Sequence, residues 1–203
     1  MFEWITRMVE EGGYLGILAL MLVENLFPPI PSELIMPLAG FLAARGNLNA
    51  VLVMLSGTAG SVLGAAAWYA IGLRFGLARI RGFAARNGRW LGATPDEIDR
   101  AHDWFNRHCG KAVLGGRMIP AIRSLISIPA GVARMEPGRF LIFTIIGSAA
   151  WSGLLMAAGF VLEDQYSRVA GWVDPVAKLV LAAMVLTYLY RVVTFRKGGG
   201  TAV

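Results

Sequence analysis

The sequence predicts an all-α integral membrane protein: an inverted repeat with two opposed re-entrant hairpins plus transmembrane and amphipathic helices. Three observations predict it. Of 203 residues, 56% are hydrophobic and only 16% charged, with a mean hydropathy of +0.59, whereas globular chains carry about 25% charge. Two apolar stretches are interrupted by prolines and carry charges, Glu24 and Glu33 in one, Arg117 and Arg123 in the other. The order of elements in the first half also recurs in the second. With so much apolar sequence, one bundle is expected rather than two domains. It is a single membrane domain over 1–197, with repeat one over about 1–72, repeat two over about 94–163 and an extra span over about 172–194. Residues 198–203 read as a disordered tail.

Residues 2–11 bring Phe2, Ile5, Met8 and Val9 near one helical face, apart from Glu3, Arg7 and Glu10, which makes an interfacial amphipathic helix. The apolar run from Tyr14 to Val23 is too short to cross a bilayer alone, since a span needs ~20 residues. It leads into Glu24-Asn25-x-x-Pro28-Pro29-x-Pro31-Ser32-Glu33 and turns apolar again from Leu34 to Ala44. Prolines and acids rule out one continuous helix there. The stretch reads as a hairpin whose tip lies at membrane depth, where broken backbone survives only if protein or a wet cavity surrounds it. Residues 50–72 make a span with small residues for packing, from Gly57 to Ala67.

A polar section over 73–111 follows, opening with Arg74, Arg79, Arg81, Arg86 and Arg89. Thr94, Pro95 and Glu97 supply an N-cap, an N1 proline and a capping-box acid for an amphipathic helix ending near Gly110. The Arg-containing hairpin over 112–131 comes next, bracketed by Pro120 and Pro129, then spans over about 139–162 and 172–194. Pro37-Leu38-Ala39-Gly40 and Pro129-Ala130-Gly131 occupy equivalent places in the two halves, as do Ser56-Gly57 and Gly147-Ser148.

A net charge of +6 could suit nucleic acid, but the basic residues cluster in connections and at the C-terminus. That pattern fits cytoplasmic loops facing anionic lipid headgroups, so no nucleic-acid partner is expected. The positive-inside rule places 73–111 and the C-terminus in the cytoplasm. One hairpin then enters from each side, an arrangement characteristic of transporters. The start of the chain lacks a basic n-region, so no cleaved signal is expected. Cys109 is the single cysteine, which excludes an internal disulfide. The six tryptophans, Trp68 and Trp151 among them, read mostly as an interfacial belt.

Arg117 and Arg123 carry the chemistry. A guanidinium stays charged in an apolar setting and needs an anionic partner or a wet cavity. In a continuous helix the two would face different ways; with Pro120 breaking the chain between them they can converge. Two so close suggest a site that holds an anion. The alternative is that each pairs with Glu24 or Glu33 and ties the hairpins together, and both can hold in sequence. Ser32, Ser124, Ser127 and Asn25 are secondary polar candidates at the hairpins. His102 and His108 lie six apart, without the i, i+4 spacing of a paired metal site, so no metal or other cofactor is expected.

These residues resemble the DedA family, the bacterial branch of the VTT or SNARE-associated membrane proteins. The resemblance covers nearly the whole chain. It rests on Glu24-Asn25-x-x-Pro28-x-x-Pro31-Ser32-Glu33, on Gly116-Arg117-x-x-Pro120-x-x-Arg123-Ser124, and on the later Pro129-Ala130-Gly131 and Met135. It implies two facing re-entrant hairpins and a lipid-moving role in the bacterial cytoplasmic membrane. Undecaprenyl phosphate is the cargo of several members, and others are linked to proton-dependent homeostasis. The family's essential acids fall on Glu24 and Glu33, its essential arginines on Arg117 and Arg123. Some subfamilies have Gly-Asp where this chain has Ser32-Glu33, and the spacing from the first acid differs.

A lipid monophosphate would suit bidentate guanidinium pairing, with Ser124 beside it. Phosphate and the carboxylates would then compete for the same arginines, linking phosphate binding to proton uptake. A lipid phosphatase would also need a nucleophile or general base, and both histidines lie outside the hairpins. The chain is therefore expected not to be an enzyme. A less selective phospholipid scramblase and a proton-coupled small-molecule transporter share the same fold and stay as alternatives. The oligomeric state is open, a homo-oligomer included.

Overall fold

The computed structural model describes residues 2–27, 32–91, 94–119, 122–161 and 186. The expected span over 172–194 apart from residue 186, the tail over 198–203, and Pro31 and Pro120 lie outside the described residues. The described chain is helical, with six elements: α1 (Phe2–Leu26), α2 (Ser32–Ala44), α3 (Ala50–Leu91), α4 (Pro95–Arg117), α5 (Ser127–Val132) and α6 (Pro137–Val161).

α1 is two helices joined at Gly13, whose φ of 52° and ψ of −132° suit glycine alone. The break falls between the expected amphipathic and apolar pieces. The chain doubles back there, so that a side chain on Gly16 would run into the carbonyl oxygen of Met8. Ile5 and Val9, four apart, enter the core with Ile17, Leu20 and Met21, while Trp4, Glu10 and Glu11 stay exposed.

α3 begins on Asn49, whose Oδ1 accepts from the amides of Val51 at 2.9 Å and Leu52 at 3.3 Å. Tyr14 Oη on α1 accepts from Asn49 N at 2.8 Å. The helix does not stop near residue 72 as the polarity change suggested. Helical structure resumes through the arginine-rich stretch to Leu91, but not as one straight rod, because the chain leaves helical dihedrals at Gly76, four residues past the expected end. Residues 73–91 hold no proline and are rich in Arg, Ala and Leu, all good helix formers. Gly76, with φ of 65°, marks where the apolar part gives way.

The capping box of α4 forms with both arms, Thr94 N to Glu97 Oε2 at 2.9 Å and Glu97 N to Thr94 Oγ1 at 3.3 Å. Its helical dihedrals break at His108 (φ −124°, ψ 16°), two residues from the expected end near Gly110, and a second helical stretch continues to Arg117. The amphipathic helix and the start of the Arg-containing segment are thus two helices joined at a kink.

α2 and α5 close in the same way. Gly46 and Asn47 donate to the carbonyls of Ala43 and Leu42, and Arg134 and Met135 donate to those of Gly131 and Ala130. Both are Schellman closures around a left-handed residue, Gly46 at φ 79° and Arg134 at φ 52°.

Each short proline-containing helix then packs on a long one, α2 on α6 and α5 on α3. Glycines make the approach close. A Cβ on Gly40 would strike the Met156 carbonyl and one on Gly159 that of Pro37; across the other contact, Gly131 meets Tyr69 and Gly72 meets Ile128. Gly159→Val should therefore lower stability by about 1–3 kcal/mol through overpacking against backbone that cannot yield, measurable as a drop in thermal midpoint in detergent.

Two core clusters result. One joins Ile5, Val9, Ile17 and Leu20 to Leu34, Ile35, Leu38 and Val53; the other joins Ala65 and Tyr69 to Phe105, Val113, Ala130, Met135 and Phe140. Tyr69 stacks on Phe140 with centroids 4.4 Å apart and donates its hydroxyl to the Met135 carbonyl. Outward, Val51, Leu55 and Leu63 on α3 and Ile142, Ile146 and Leu154 on α6 are exposed. Both helices contain stretches long and apolar enough to cross a membrane. So much exposed apolar surface on one chain calls for a lipid environment.

Candidate functional site

Between the two clusters lies a buried charged centre, built from the end of α1, the end of α4, the turns before α5, and the middle of α6. Arg123, in the turns over 122–126, donates Nη2 to Glu24 Oε1, and both side chains are nearly sealed from solvent. The other carboxylate oxygen of Glu24 accepts from Asn25 Nδ2 at 3.2 Å. The Asn25 carbonyl accepts from Trp68 Nε1 of α3 at 2.9 Å. Gly64 of α3 makes room, since a Cβ there would lie 2.5 Å from that of Asn25. Glu24 is thereby fixed on both oxygens, and α1 is anchored to the turns before α5.

Arg117 is treated differently. It is 2% exposed and donates to two hydroxyls, Nη1 to Ser148 Oγ at 3.1 Å and Nη2 to Ser127 Oγ at 3.0 Å. Its Nε has no acceptor, and no carboxylate forms an ion pair with it among the described residues. Gly147 admits its aliphatic stem, the Cβ position there lying 2.9 Å from Arg117 Cβ. A buried, unpaired arginine in a membrane costs about 2.5–3.5 kcal/mol on insertion scales. Two neutral hydroxyls offset only part of that, and no carboxylate touches the guanidinium among the described residues.

The two arginines and Glu24 are within electrostatic reach of one another, and Glu33 is within reach of Glu24. Glu33 stands in the first turn of α2, half-buried, with no ion pair among the described residues. Ser32 and Ser124 are buried, and Ser32 Oγ has no hydrogen-bond partner among the described residues. Pro129 is the third residue of α5. The geometry thus gathers Glu24, Asn25 and Arg123 into one contact and Arg117 with Ser127 into another. Ser124 and Ser32 form no hydrogen bond to either arginine among the described residues.

Ser148 was legible only as a marker of the repeat; here it is a direct partner of Arg117. Trp68, expected in an interfacial belt, bonds instead to the chain of the charged centre. His102 and His108 bond within their own helix, to Asn106 and to the Trp104 carbonyl. Arg81 of the basic stretch forms an exposed ion pair with Asp99 at 3.3 Å. No group of three or more histidine, cysteine or carboxylate side chains is placed to hold a metal ion among the described residues.

The helices and their buried ionic centre define an all-helical membrane protein. Residues 30–161 match the VTT domain, and the chain belongs to that family. An "Alkaline phosphatase-like protein" of Lactococcus lactis subsp. cremoris (strain MG1363) is 35% identical over 198 residues, 97% of this chain and 92% of the relative. "Undecaprenyl phosphate transporter A" of Staphylococcus aureus (strain NCTC 8325 / PS 47) is 30% identical over 190 residues, 94% of each. The protein of the same name in Bacillus subtilis (strain 168) is 30% identical over 194 residues, 95% of this chain and 92% of the relative. No solved structure matches the chain.

Proposed function

We propose that this protein translocates a phosphate-bearing lipid, undecaprenyl phosphate or one like it, across the bacterial cytoplasmic membrane. Arg117 carries the reading. A desolvated guanidinium with two hydroxyl partners and no carboxylate ion pair among the described residues carries a positive charge that a phosphate monoester would neutralise. Arg117 is the resident ligand, and Arg123 joins once Glu24 releases it. Ser127 and Ser148 orient the first guanidinium, and Ser124 adds a donor beside the second. Competition between phosphate and Glu24 for Arg123 links headgroup binding to a proton on Glu24, with Glu33 as the nearby second acid.

The frame for this is an inverted repeat within one domain, two re-entrant hairpins meeting from opposite sides. The shared Schellman closures of α2 and α5 and their reciprocal docking on α6 and α3 support it. The loop over 73–111 and the C-terminus then face the cytoplasm and anionic lipid. Transport, not hydrolysis, fits the centre. Ester cleavage needs a nucleophile or base at the phosphate, and both histidines are bonded within α4 instead.

The test is movement of undecaprenyl phosphate in proteoliposomes, wild type against Arg117→Met. A wild-type rate that collapses in the variant, with phosphatidylethanolamine unmoved, is the expected result. Equal movement of both lipids, indifferent to Arg117, would replace the selective carrier with a scramblase.

A further inference from the structure

The polarity of α6 is inside out. Its buried residues are Phe140, Thr144, Gly147, Ser148, Ser152 and Gly159, whereas Ile142, Ile145, Ile146 and Leu154 are exposed. Thr144, Ser148 and Ser152 are four apart, so they stack in one stripe, rising about 6 Å per step. Small residues in a membrane helix usually serve close packing. Gly147 against Arg117 and Gly159 against Pro37 do so here.

The hydroxyls need a different account. In such a helix a serine or threonine ordinarily bonds back to the carbonyl four residues earlier. Thr144 Oγ1 and Ser152 Oγ do not: each is buried with no hydrogen-bond partner among the described residues, and the same holds for Trp151 Nε1 and for Arg117 Nε. Between them Ser148 holds Arg117. Buried polar groups left unpaired mark places where water or a ligand sits. Indole and guanidinium N–H groups only donate, and hydroxyls can, so the set favours an acceptor-rich anion with water over a cation.

We infer that the Thr144, Ser148 and Ser152 stripe of α6, with Trp151 Nε1, is a hydrated donor track along which a phosphate headgroup reaches and leaves Arg117. The cargo rests on the transport reading above; the hydration does not, and the test separates them.

In a Cys109→Ser background, Thr144→Cys, Ser152→Cys and the exposed control Ile146→Cys are made singly and reconstituted. Each is treated with a water-soluble, membrane-impermeant methanethiosulfonate. The track predicts that the first two react at least about tenfold faster than the control and slow when undecaprenyl phosphate is present. Reactivity no higher than at Ile146 overturns the track, and high reactivity indifferent to the lipid overturns its role for this cargo.

A second arm reads transport and stability together. Thr144→Val and Ser152→Ala remove unpaired hydroxyls, so the thermal midpoint should hold or rise. Transport should fall about tenfold, the worth of roughly one hydrogen bond, with Thr144→Ser keeping the rate. Unchanged transport in both variants overturns the inference. A wild type that moves no undecaprenyl phosphate defeats the transport reading and leaves the labelling to decide hydration.

Discussion

Arg117→Met is expected to cost transport roughly a hundredfold while leaving the fold as stable as wild type, or more so. The guanidinium is 2% exposed and, among the described residues, bonds to the hydroxyls of Ser127 and Ser148 without a carboxylate contact, so its removal relieves a charge that is poorly compensated. Replacing buried ionic groups with apolar side chains of similar volume is often neutral or stabilising. The two serines freed by the change can bond back to their own backbones. Binding has no such substitute. Two charge-assisted hydrogen bonds to phosphate, at about 1.5 kcal/mol each, correspond to roughly two powers of ten. Arg117→Lys keeps the charge but loses the planar fork, so its rate should fall between the two. Proteoliposome transport and the thermal midpoint in detergent are read side by side. A Met variant with a much lower midpoint would make Arg117 a structural clasp between α4, α5 and α6 rather than a ligand.

Much of this was legible in the residues. The break near Gly13, the capping box at Thr94 and the apolar stretch beginning near residue 139 follow from glycine conformation, capping chemistry and hydropathy, and each acts locally. α3 runs to Leu91 and α4 to Arg117, but each departs from helical dihedrals close to the end the sequence suggested, at Gly76 and His108, and then resumes because no proline or cap stops it. Hydropathy reports where a chain meets lipid, not where its hydrogen bonding ends. Pairing was harder to read. The sequence left open whether each arginine met a carboxylate, because Arg123 and Glu24 are 99 residues apart and their meeting depends on how α1 and the turns before α5 dock across α3. Ser148 escaped for the same reason: one serine in an apolar helix is ordinary until the fold places Arg117 against Gly147. The stripe it shares with Thr144 and Ser152 is visible as a spacing of four, but only burial tells such a stripe from a lipid-facing one.

The other arginine should respond in the opposite sense. Glu24→Ala leaves Arg123 buried without its partner and frees the Asn25 amide that Glu24 holds. Breaking a buried pair from one side costs about 3–5 kcal/mol, enough to unfold many proteins of marginal stability. Removing both partners, Glu24→Ala with Arg123→Ala, should recover most of that loss, because the penalty comes from the stranded charge and not from the missing contact. Thermal unfolding of the two single variants and the double closes the cycle, and a double variant no better than Glu24→Ala would mean the pair is not the stabilising unit. Glu24→Gln keeps the shape and the bond acceptor for Arg123 but cannot take up a proton. If phosphate and proton compete through this residue, wild-type transport changes across the carboxyl titration range and the Gln variant is flat. A wild-type rate that is itself flat would leave Glu24 as a structural partner of Arg123 and detach transport from the proton. The contrast follows from the geometry: one arginine is paired with a carboxylate, whereas the other meets two hydroxyls and no carboxylate among the described residues.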